Sequence, residues 1–125
     1  MSTHHSIELL PIEARIVDVI HGQHLGKNHA ATSKELQAIF GFNGSTLRKY
    51  INNIRSRGIP ICSCNNGYYY PEQVSDCANT VSYLSERLDA VMQSVSGVES
   101  GMDMMRAGLD PTDLITVSLS PKPLP

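Results

Sequence analysis

Five polar side chains of the kind that read DNA bases lie within one short stretch of the chain: Ser45, Thr46, Arg48, Lys49 and Asn52. In the major groove Arg can bond guanine twice and Asn can bond adenine twice, and each such pair discriminates by about 1–3 kcal/mol. Five further residues complete the predicted contact set: Lys34, Arg55, Arg57, Asn65 and Asn66. We expect the two later arginines to contact phosphates and the two asparagines to bond a phosphate or a minor-groove edge. These residue types predict a surface for double-stranded DNA, and the alternative is a solvated basic helix face without a partner.

The charge distribution favours a localised anionic partner. Residues 27–57 hold six basic side chains and one acidic side chain, a net charge of +5. The remainder holds four basic and eleven acidic side chains, a net charge of −7, so the 125-residue chain carries only −2. A basic block inside an acidic frame is typical of a chain that binds a polyanion at one place.

The first predicted helix begins at Pro11, whose missing N–H would be unpaired at that position anyway. Its inward face carries apolar residues at helical spacing: Ile12, Ile16, Val19 and Ile20. We expect this helix to end between Gly22 and Gly26, before a polar link over residues 27–31.

Two further helices must position the base-reading side chains. Thr32 and Glu35 form a capping box, which predicts the start of a short second helix. A break follows at Gly41, and then Asn43 can cap a third helix that stops at Gly58. Apolar spacing predicts the inward residues: Leu36, Ile39 and Phe40 in the second helix, and Leu47, Tyr50, Ile51 and Ile54 in the third. The opposite face of the third helix holds the base-reading residues.

A β-hairpin is predicted directly after the third helix. Isoleucine alternates with other residues over 59–62, Asn65–Gly67 supplies the Asn-Gly signal of a tight turn, and Tyr68–Tyr70 form the return strand. Three helices followed by such a hairpin make a winged helix-turn-helix. The predicted fold class is therefore α+β, mostly α, with this domain followed by a long, coiled-coil-like C-terminal helix.

Five segments resemble the N-terminal DNA-binding domain of biotin ligase/repressor proteins: Ser33–Leu36, Gly41–Asn43, Leu47–Ile51, Ile54–Ile61 and Gly67–Tyr70. The pattern Ile-x-x-Ile-Arg-x-x-Gly-Ile-x-Ile followed by Gly-Tyr recurs in small bacterial and phage winged-helix proteins. The resemblance covers about a third of the chain and implies that the third helix lies in the major groove. Because no ligase sequence follows the hairpin, it implies no biotin chemistry. Asn43 stands where the family usually has Ser, and the hairpin tip lacks the Lys or Arg of a charged wing.

A heptad repeat follows Pro71. Ten apolar residues alternate at steps of three and four: Val74, Cys77, Val81, Leu84, Leu88, Val91, Val95, Val98, Met102 and Met105. A period of 3.5 residues kept over four heptads is typical of helices that supercoil around a partner helix. We predict an association helix over residues 73–105, which forms a homodimer through the first eight of these residues. Higher-order or antiparallel assembly, and a helix that covers its own domain, are the alternatives, and Gly97 and Gly101 predict fraying after Val95.

The patterns also set domain boundaries and exclude several classes of protein. We expect the winged domain over 1–71, the oligomerisation helix over 72–106, and a flexible Pro-rich tail over 107–125 that could bind a protein partner. No apolar run reaches the roughly 18 residues of a membrane span and no signal-peptide pattern is present, which predicts a cytoplasmic protein with no membrane partner. Cysteine and histidine spacings do not fit zinc, and no nucleophile, phosphate-loop or paired-carboxylate motif occurs. We therefore expect no metal, no cofactor and no enzymatic activity.

The sequence predicts a sequence-specific double-stranded DNA-binding protein, a bacterial or phage transcriptional regulator that occupies an operator. One alternative is a phage replication or recombination accessory that also binds DNA. The other is a protein-interaction adaptor built on a winged helix and a coiled coil, which would bind a protein and leave DNA unbound.

Overall fold

The computed structural model describes residues 6–117, which form a mostly helical fold with one small sheet. The helices are α1 (Pro11–Gln23), α2 (Ser33–Phe40), α3 (Gly44–Ser56) and α4 (Val74–Arg106), and the antiparallel strands are β1 (Cys62–Cys64) and β2 (Gly67–Tyr69). Short 3-10 turns lie at Lys27–His29 and Pro111–Leu114. This confirms the predicted α+β, mostly α class and the long C-terminal helix. The chain divides into two compact units, Met1–Val81 and Ser82–Pro125.

α1 begins and ends where its sequence predicts. Pro11 occupies the first helical position, and Gln23 is the last residue. The backbone N–H of Leu10 donates to a carboxylate oxygen of Glu13 at 2.9 Å. Glu13 is only 3% exposed, and this hydrogen bond offsets part of the cost of burying its carboxylate. Apolar spacing did not predict this buried acid.

Side-chain caps start both α2 and α3, as predicted. The Thr32 hydroxyl accepts the backbone N–H of Glu35 at 3.1 Å, and the Asn43 side-chain oxygen accepts the backbone N–H of Thr46 at 2.8 Å. Between the two caps, Gly41 ends α2 in the left-handed region with φ of 74°. Gly41 ends α2 and Asn43 begins α3, so the link between them is only three residues long. The short link holds the two helices in contact with each other.

The core of the first unit is formed by three helices and two flanking segments. Its fully buried residues come from all of these elements: Ile16, Ile20, Ala31, Leu36, Leu47, Ile51, Ile54 and Ile61. Four other predicted core residues pack against this cluster from its edge: Ile12, Val19, Phe40 and Tyr50. The prediction for Ile39 was wrong, because its side chain is 52% exposed. The short α2 packs mainly on α3, and Leu36 is the one residue of α2 that is fully buried.

The hairpin forms with the predicted two-residue tip. Cys64 pairs with Gly67 across the tip, so that Asn65 and Asn66 make the turn. Neither asparagine has a positive φ, whereas Gly67 has φ of 127°. A Cβ on Gly67 would overlap the backbone carbonyl of Ala31, so the position requires glycine for space as well as for its backbone conformation.

Three features of the sheet differ from the sequence prediction. β2 is Gly67–Tyr69, whereas the predicted return strand was Tyr68–Tyr70. β1 begins at Cys62, whereas the prediction started the strand at Ile59. The sequence predicts only a polar link over residues 27–31, but Ala31 and Tyr68 form an antiparallel bridge with two backbone hydrogen bonds of 2.8 Å. Leu25 and Tyr70 form a second bridge, which is parallel. These bridges join the hairpin to a segment about 40 residues earlier in the chain. They could not be predicted, because the sequence of that segment does not alternate between apolar and polar residues.

α4 is continuous over 33 residues, about 50 Å at 1.5 Å per residue. The predicted fraying after Val95 was wrong, since the helix runs through Gly97 and Gly101 to Arg106. Thr80 is the one buried residue of α4. Within residues 6–117, no helix combines the length and the apolar character that crossing a membrane requires.

The predicted tail starts with ordered structure. Its 3-10 turn at Pro111–Leu114 is capped by the Asp110 carboxylate, which accepts the backbone N–H of Thr112 at 3.0 Å. That hydrogen bond, together with one from the Thr112 hydroxyl, lowers the pKa of Asp110. The remainder of the predicted tail, residues 118–125, lies outside the described residues.

Candidate nucleic-acid interface

α3 has one buried and one exposed face. Leu47, Ile51 and Ile54 are completely buried against the core. The exposed face carries four of the predicted base-reading residues: Ser45, Arg48, Lys49 and Asn52. Their spacing of three and four residues places them side by side on a helix. The fifth, Thr46, is half-buried and lies at the edge of this set, which we call the α3 polar face.

The basic side chains of the α3 polar face are not neutralised by contact. Neither Arg48 nor Lys49 forms an ion pair with a carboxylate of residues 6–117, and the same holds for Lys34 on α2. By contrast, Arg106 on α4 pairs with Asp103 at 2.9 Å. An exposed cation without a bound carboxylate keeps its full charge for an approaching anion.

An aromatic cluster braces the turn that leads into α3. The rings of Phe40 and Phe42 are stacked with centroids 5.8 Å apart, and Phe42 contacts Tyr50 at 5.1 Å. The Arg15 guanidinium of α1 lies over the Phe40 ring at 5.8 Å. This cluster joins α1, α2 and α3 next to the α3 polar face, and holds the polar face in a fixed orientation. The prediction assigned no role to Phe42, because it lies in the turn between α2 and α3, where helical spacing gives no signal.

Arg55 belongs to the fold rather than to the exposed face. Its Nε donates to the Ile61 carbonyl at 2.8 Å and a terminal nitrogen donates to the Ser63 hydroxyl at 3.2 Å. The guanidinium also lies over the Tyr68 ring at 5.8 Å. These contacts fasten the end of α3 to β1, so we leave Arg55 out of the candidate contact set. Sequence periodicity places its charge correctly and cannot show these partners six to thirteen residues away.

The remaining predicted contact residues lie outside α3. Arg57 is exposed after the end of the helix and donates to the Glu8 carbonyl at 3.3 Å. Asn65 and Asn66 are exposed at the hairpin tip, and neither side chain has a hydrogen bond within residues 6–117. The centre of the candidate interface is therefore the α3 polar face. Further candidate contacts lie on α2, at Arg57 and at the hairpin tip.

The predicted association stripe of α4 is mostly exposed. Eight of its ten residues are between 44% and 85% exposed: Val74, Val81, Leu88, Val91, Val95, Val98, Met102 and Met105. Cys77 and Leu84 are half-buried. An apolar row of this length on one helix is a larger exposed apolar surface than scattered single apolar residues make.

Thr80 is a structural residue that the sequence prediction missed. Its hydroxyl accepts the backbone N–H of Ser63 at 3.2 Å, which attaches the start of α4 to β1. Thr80 occupies a position of the heptad next to the apolar stripe. Polar residues are usual at such positions, so the sequence gives no sign that Thr80 is buried. The attachment becomes visible only when β1 and α4 are seen together.

The thiols and histidines have local partners. Burial raises the pKa of the Cys62 thiol, against the opposing effect of a hydrogen bond with Thr80. The His21 ring meets the Tyr70 ring edge to face at 4.7 Å, and His24 Nδ1 lies 2.7 Å from the His29 carbonyl. Among residues 6–117, no group of three or more His, Cys, Asp or Glu residues is arranged to hold a metal ion.

Comparison of the chain with protein-family models, with curated proteins and with solved structures gives no match.

Proposed function

We propose that this chain is a winged helix-turn-helix protein that binds double-stranded DNA and places α3 in the major groove. The observation that carries the proposal is the division of α3 into a completely buried face and an exposed polar face. That polar face presents Arg48 and Lys49 without a carboxylate partner, between Ser45 and Asn52. In a helix-turn-helix the second helix of the pair reads base edges through this kind of face.

The arrangement of the elements supports the proposal. α2 and α3 are joined by a three-residue turn, and a hairpin with a short tip follows α3 directly. Ala31 forms an antiparallel bridge with Tyr68 of the hairpin, and Arg55 of α3 donates a hydrogen bond to the Ile61 carbonyl just before it. A winged helix-turn-helix needs this rigid attachment, because the wing and the reading helix must meet the duplex in a fixed relation.

Electrostatics favours DNA over a neutral partner. The net charge of +5 over residues 27–57 contrasts with −7 elsewhere in the chain. Contacts with phosphates contribute most of the sequence-independent affinity of DNA-binding proteins. A chain with few free cations has weak non-specific affinity, so it depends on base contacts and on the binding of more than one copy.

We propose that two copies associate through the apolar stripe of α4. The stripe extends over four heptads with most of its residues exposed, and a second identical helix would cover it. Two copies would present two reading helices to two half-sites, which raises affinity without a new contact. Control of transcription by operator occupancy is the role that suits such a protein, with a replication or recombination accessory as the alternative.

The test is binding of a fluorescent duplex of random sequence, followed by anisotropy. Replacing both Arg48 and Lys49 by alanine should weaken binding at least tenfold at low salt, since each neutralised phosphate adds to the affinity. The matched control is Arg106→Ala, which removes an exposed arginine from α4 and should leave binding unchanged. Equal binding by the wild-type and doubly substituted proteins would reject α3 as the contact surface.

Base reading is tested separately with Asn52→Ala. Selection from a random duplex library should yield an enriched site for the wild-type protein. The Asn52→Ala protein should bind that site about tenfold or more weakly, since one bidentate pair is worth about 1–3 kcal/mol, while its binding to random duplex stays the same. Failure of any duplex to bind, together with capture of a protein partner, would support the adaptor alternative.

A further inference from the structure

The start of α4 lies along the outer edge of β1. Thr80, 6% exposed, accepts the Ser63 N–H, and Cys77 lies one helical turn before Thr80 on the same side of α4. Cys62 is the strand neighbour of Ser63 and is 1% exposed. The Ser63–Thr80 hydrogen bond therefore places the turn of α4 that carries Cys77 beside the strand that carries Cys62.

The alternation of side chains along β1 shows which face of the strand carries Cys62. The Ser63 side chain points to α3, because its hydroxyl accepts from the Arg55 guanidinium. Successive side chains of a strand point to opposite faces, so Cys62 and Cys64 project to the other face. Tyr69, which pairs with Cys62 across the hairpin, is 2% exposed, and burial raises the pKa of its hydroxyl, with smaller contributions in the same direction from Cys62 and from Asp76 of α4. The Cys62 thiol donates to the Pro60 carbonyl at 3.6 Å, and burial raises its pKa, with smaller contributions in the same direction from Cys77 and Asp76 of α4.

We propose that Cys62 and Cys77 form a redox-active dithiol, which closes to a disulfide in the presence of a low-molecular-weight disulfide and fixes the start of α4 to the hairpin. All three cysteines are free thiols in this structure. Cys62 and Cys64 cannot pair with each other on the strand, since residues two apart are separated by about 6.6 Å, whereas a disulfide needs Cβ atoms within about 4.5 Å.

The reaction is a thiol–disulfide exchange with two steps. The half-buried Cys77, as its thiolate, attacks one sulfur of the small disulfide and releases one small thiolate, which takes up a proton. The Cys62 thiol then loses its proton, attacks the Cys77 sulfur in the mixed disulfide, and releases the second small thiol. Both protein thiols are oxidised and the small disulfide is reduced to two thiols, so atoms and electrons balance.

The proposed disulfide would act on a weak attachment. Thr80 is the one buried residue of α4, and Cys77 is half-buried beside it. Helix segments with few buried contacts open locally at low free-energy cost. A covalent link between residues 62 and 77 would suppress this opening. Formation of the Cys62–Cys77 disulfide does not depend on DNA binding and is tested by the chemistry of the thiols alone.

The experiment treats the folded full-length protein with oxidised glutathione and then counts free thiols in urea with N-ethylmaleimide and mass spectrometry. The reduced protein should take three adducts, and the oxidised protein should take one and lose two hydrogens. Peptide mapping should place the link between Cys62 and Cys77 in a monomeric chain on a non-reducing gel. Amide exchange at Ser63, the donor to Thr80, should slow in the oxidised protein.

Two variants sharpen the result. After oxidation, Cys64→Ser should take no adduct, and Cys77→Ser should keep two. Repeating the oxidation in urea tests whether the pairing needs the fold, and the Cys62–Cys77 link should then lose its preference. Three adducts in the oxidised wild-type protein, a link that maps to Cys64, or a link between chains would each overturn the proposal. The wild-type mapping decides the question even if a variant fails to fold.

Discussion

The Nε of Arg55 donates a hydrogen bond to the carbonyl oxygen of Ile61 at 2.8 Å and so fastens the last turn of α3 to the hairpin. A terminal nitrogen of the same side chain donates to Ser63, the residue whose N–H is bonded to Thr80 of α4. One arginine therefore orders the hairpin relative to α3, and β1 in turn carries the attachment of α4.

Removing the Arg55 side chain should destabilise the first unit. We expect Arg55→Met to lower the free energy of unfolding by about 1–3 kcal/mol, because the part-buried acceptors at Ile61 and Ser63 lose a charged donor. Arg57→Met, which removes the same charge from an exposed position, should change it by about 0.5 kcal/mol or less. Urea unfolding followed by circular dichroism measures both, and equal effects would contradict the role given to Arg55.

Replacing glycine by alanine should change the free energy of unfolding in opposite directions at two positions. Gly67→Ala should lower the free energy of unfolding by more than about 1 kcal/mol, because of its positive φ and its approach to the Ala31 carbonyl. Gly97→Ala should instead stabilise α4 by up to about 1 kcal/mol, because its added methyl group meets no atom and alanine favours the helix. Thermal unfolding compares the two variants, and a neutral Gly67→Ala would contradict the close packing of β2 on the link before α2.

A charge in the apolar stripe should abolish self-association. Leu88 is 60% exposed, and in a dimer the carboxylate of Leu88→Asp would be buried against a second helix. We expect a dimer or larger species for the wild-type protein and a monomer for this variant, by light scattering after size exclusion at micromolar concentration. Gln93→Asp adds the same charge to the outer side of the heptad and should leave the assembly intact. A monomeric wild-type protein would contradict association through α4.

Stability should fall at alkaline pH through the thiol of Cys62. Burial raises the pKa of this thiol above its ordinary value in the unfolded chain. Above that ordinary value the unfolded chain loses the proton more readily than the folded chain, so the free energy of unfolding decreases as pH rises. In urea titrations with reductant between about pH 7 and 10, around the ordinary thiol pKa, the wild-type protein should lose more stability than Cys62→Ala. Parallel pH profiles for the two proteins would show that Cys62 is not the responsible group.

Local signals account for the parts of the fold that could be predicted. Thr32 and Asn43 cap helices through bonds to residues three positions later, so their sequence neighbourhood contains the whole interaction. Gly67 likewise marks its turn through its own backbone. The same reasoning predicted the buried and exposed faces of α3, because helical periodicity is a property of the segment alone.

The features that could not be predicted depend on distant partners. The bridge between Ala31 and Tyr68 joins segments with no common periodicity, and Thr80 becomes a buried acceptor only when β1 lies against it. Arg55 was placed among phosphate contacts, because a charged residue on a helix end gives no sign of the carbonyl that it binds. Ile39 was expected inside, since apolar spacing does not show how little of the short α2 is covered.

The salt dependence of binding to random-sequence duplex measures whether the basic side chains of the α3 polar face contact phosphates. If each of the four basic side chains that remain in the candidate contact set neutralises one phosphate, the logarithm of the affinity should fall against the logarithm of salt concentration with a slope of about −3.6 per protomer. The Arg48→Ala and Lys49→Ala proteins should each reduce that slope by about one unit. A measurable affinity that does not change with salt, or the absence of binding at low salt, would contradict the assignment of the α3 polar face to DNA.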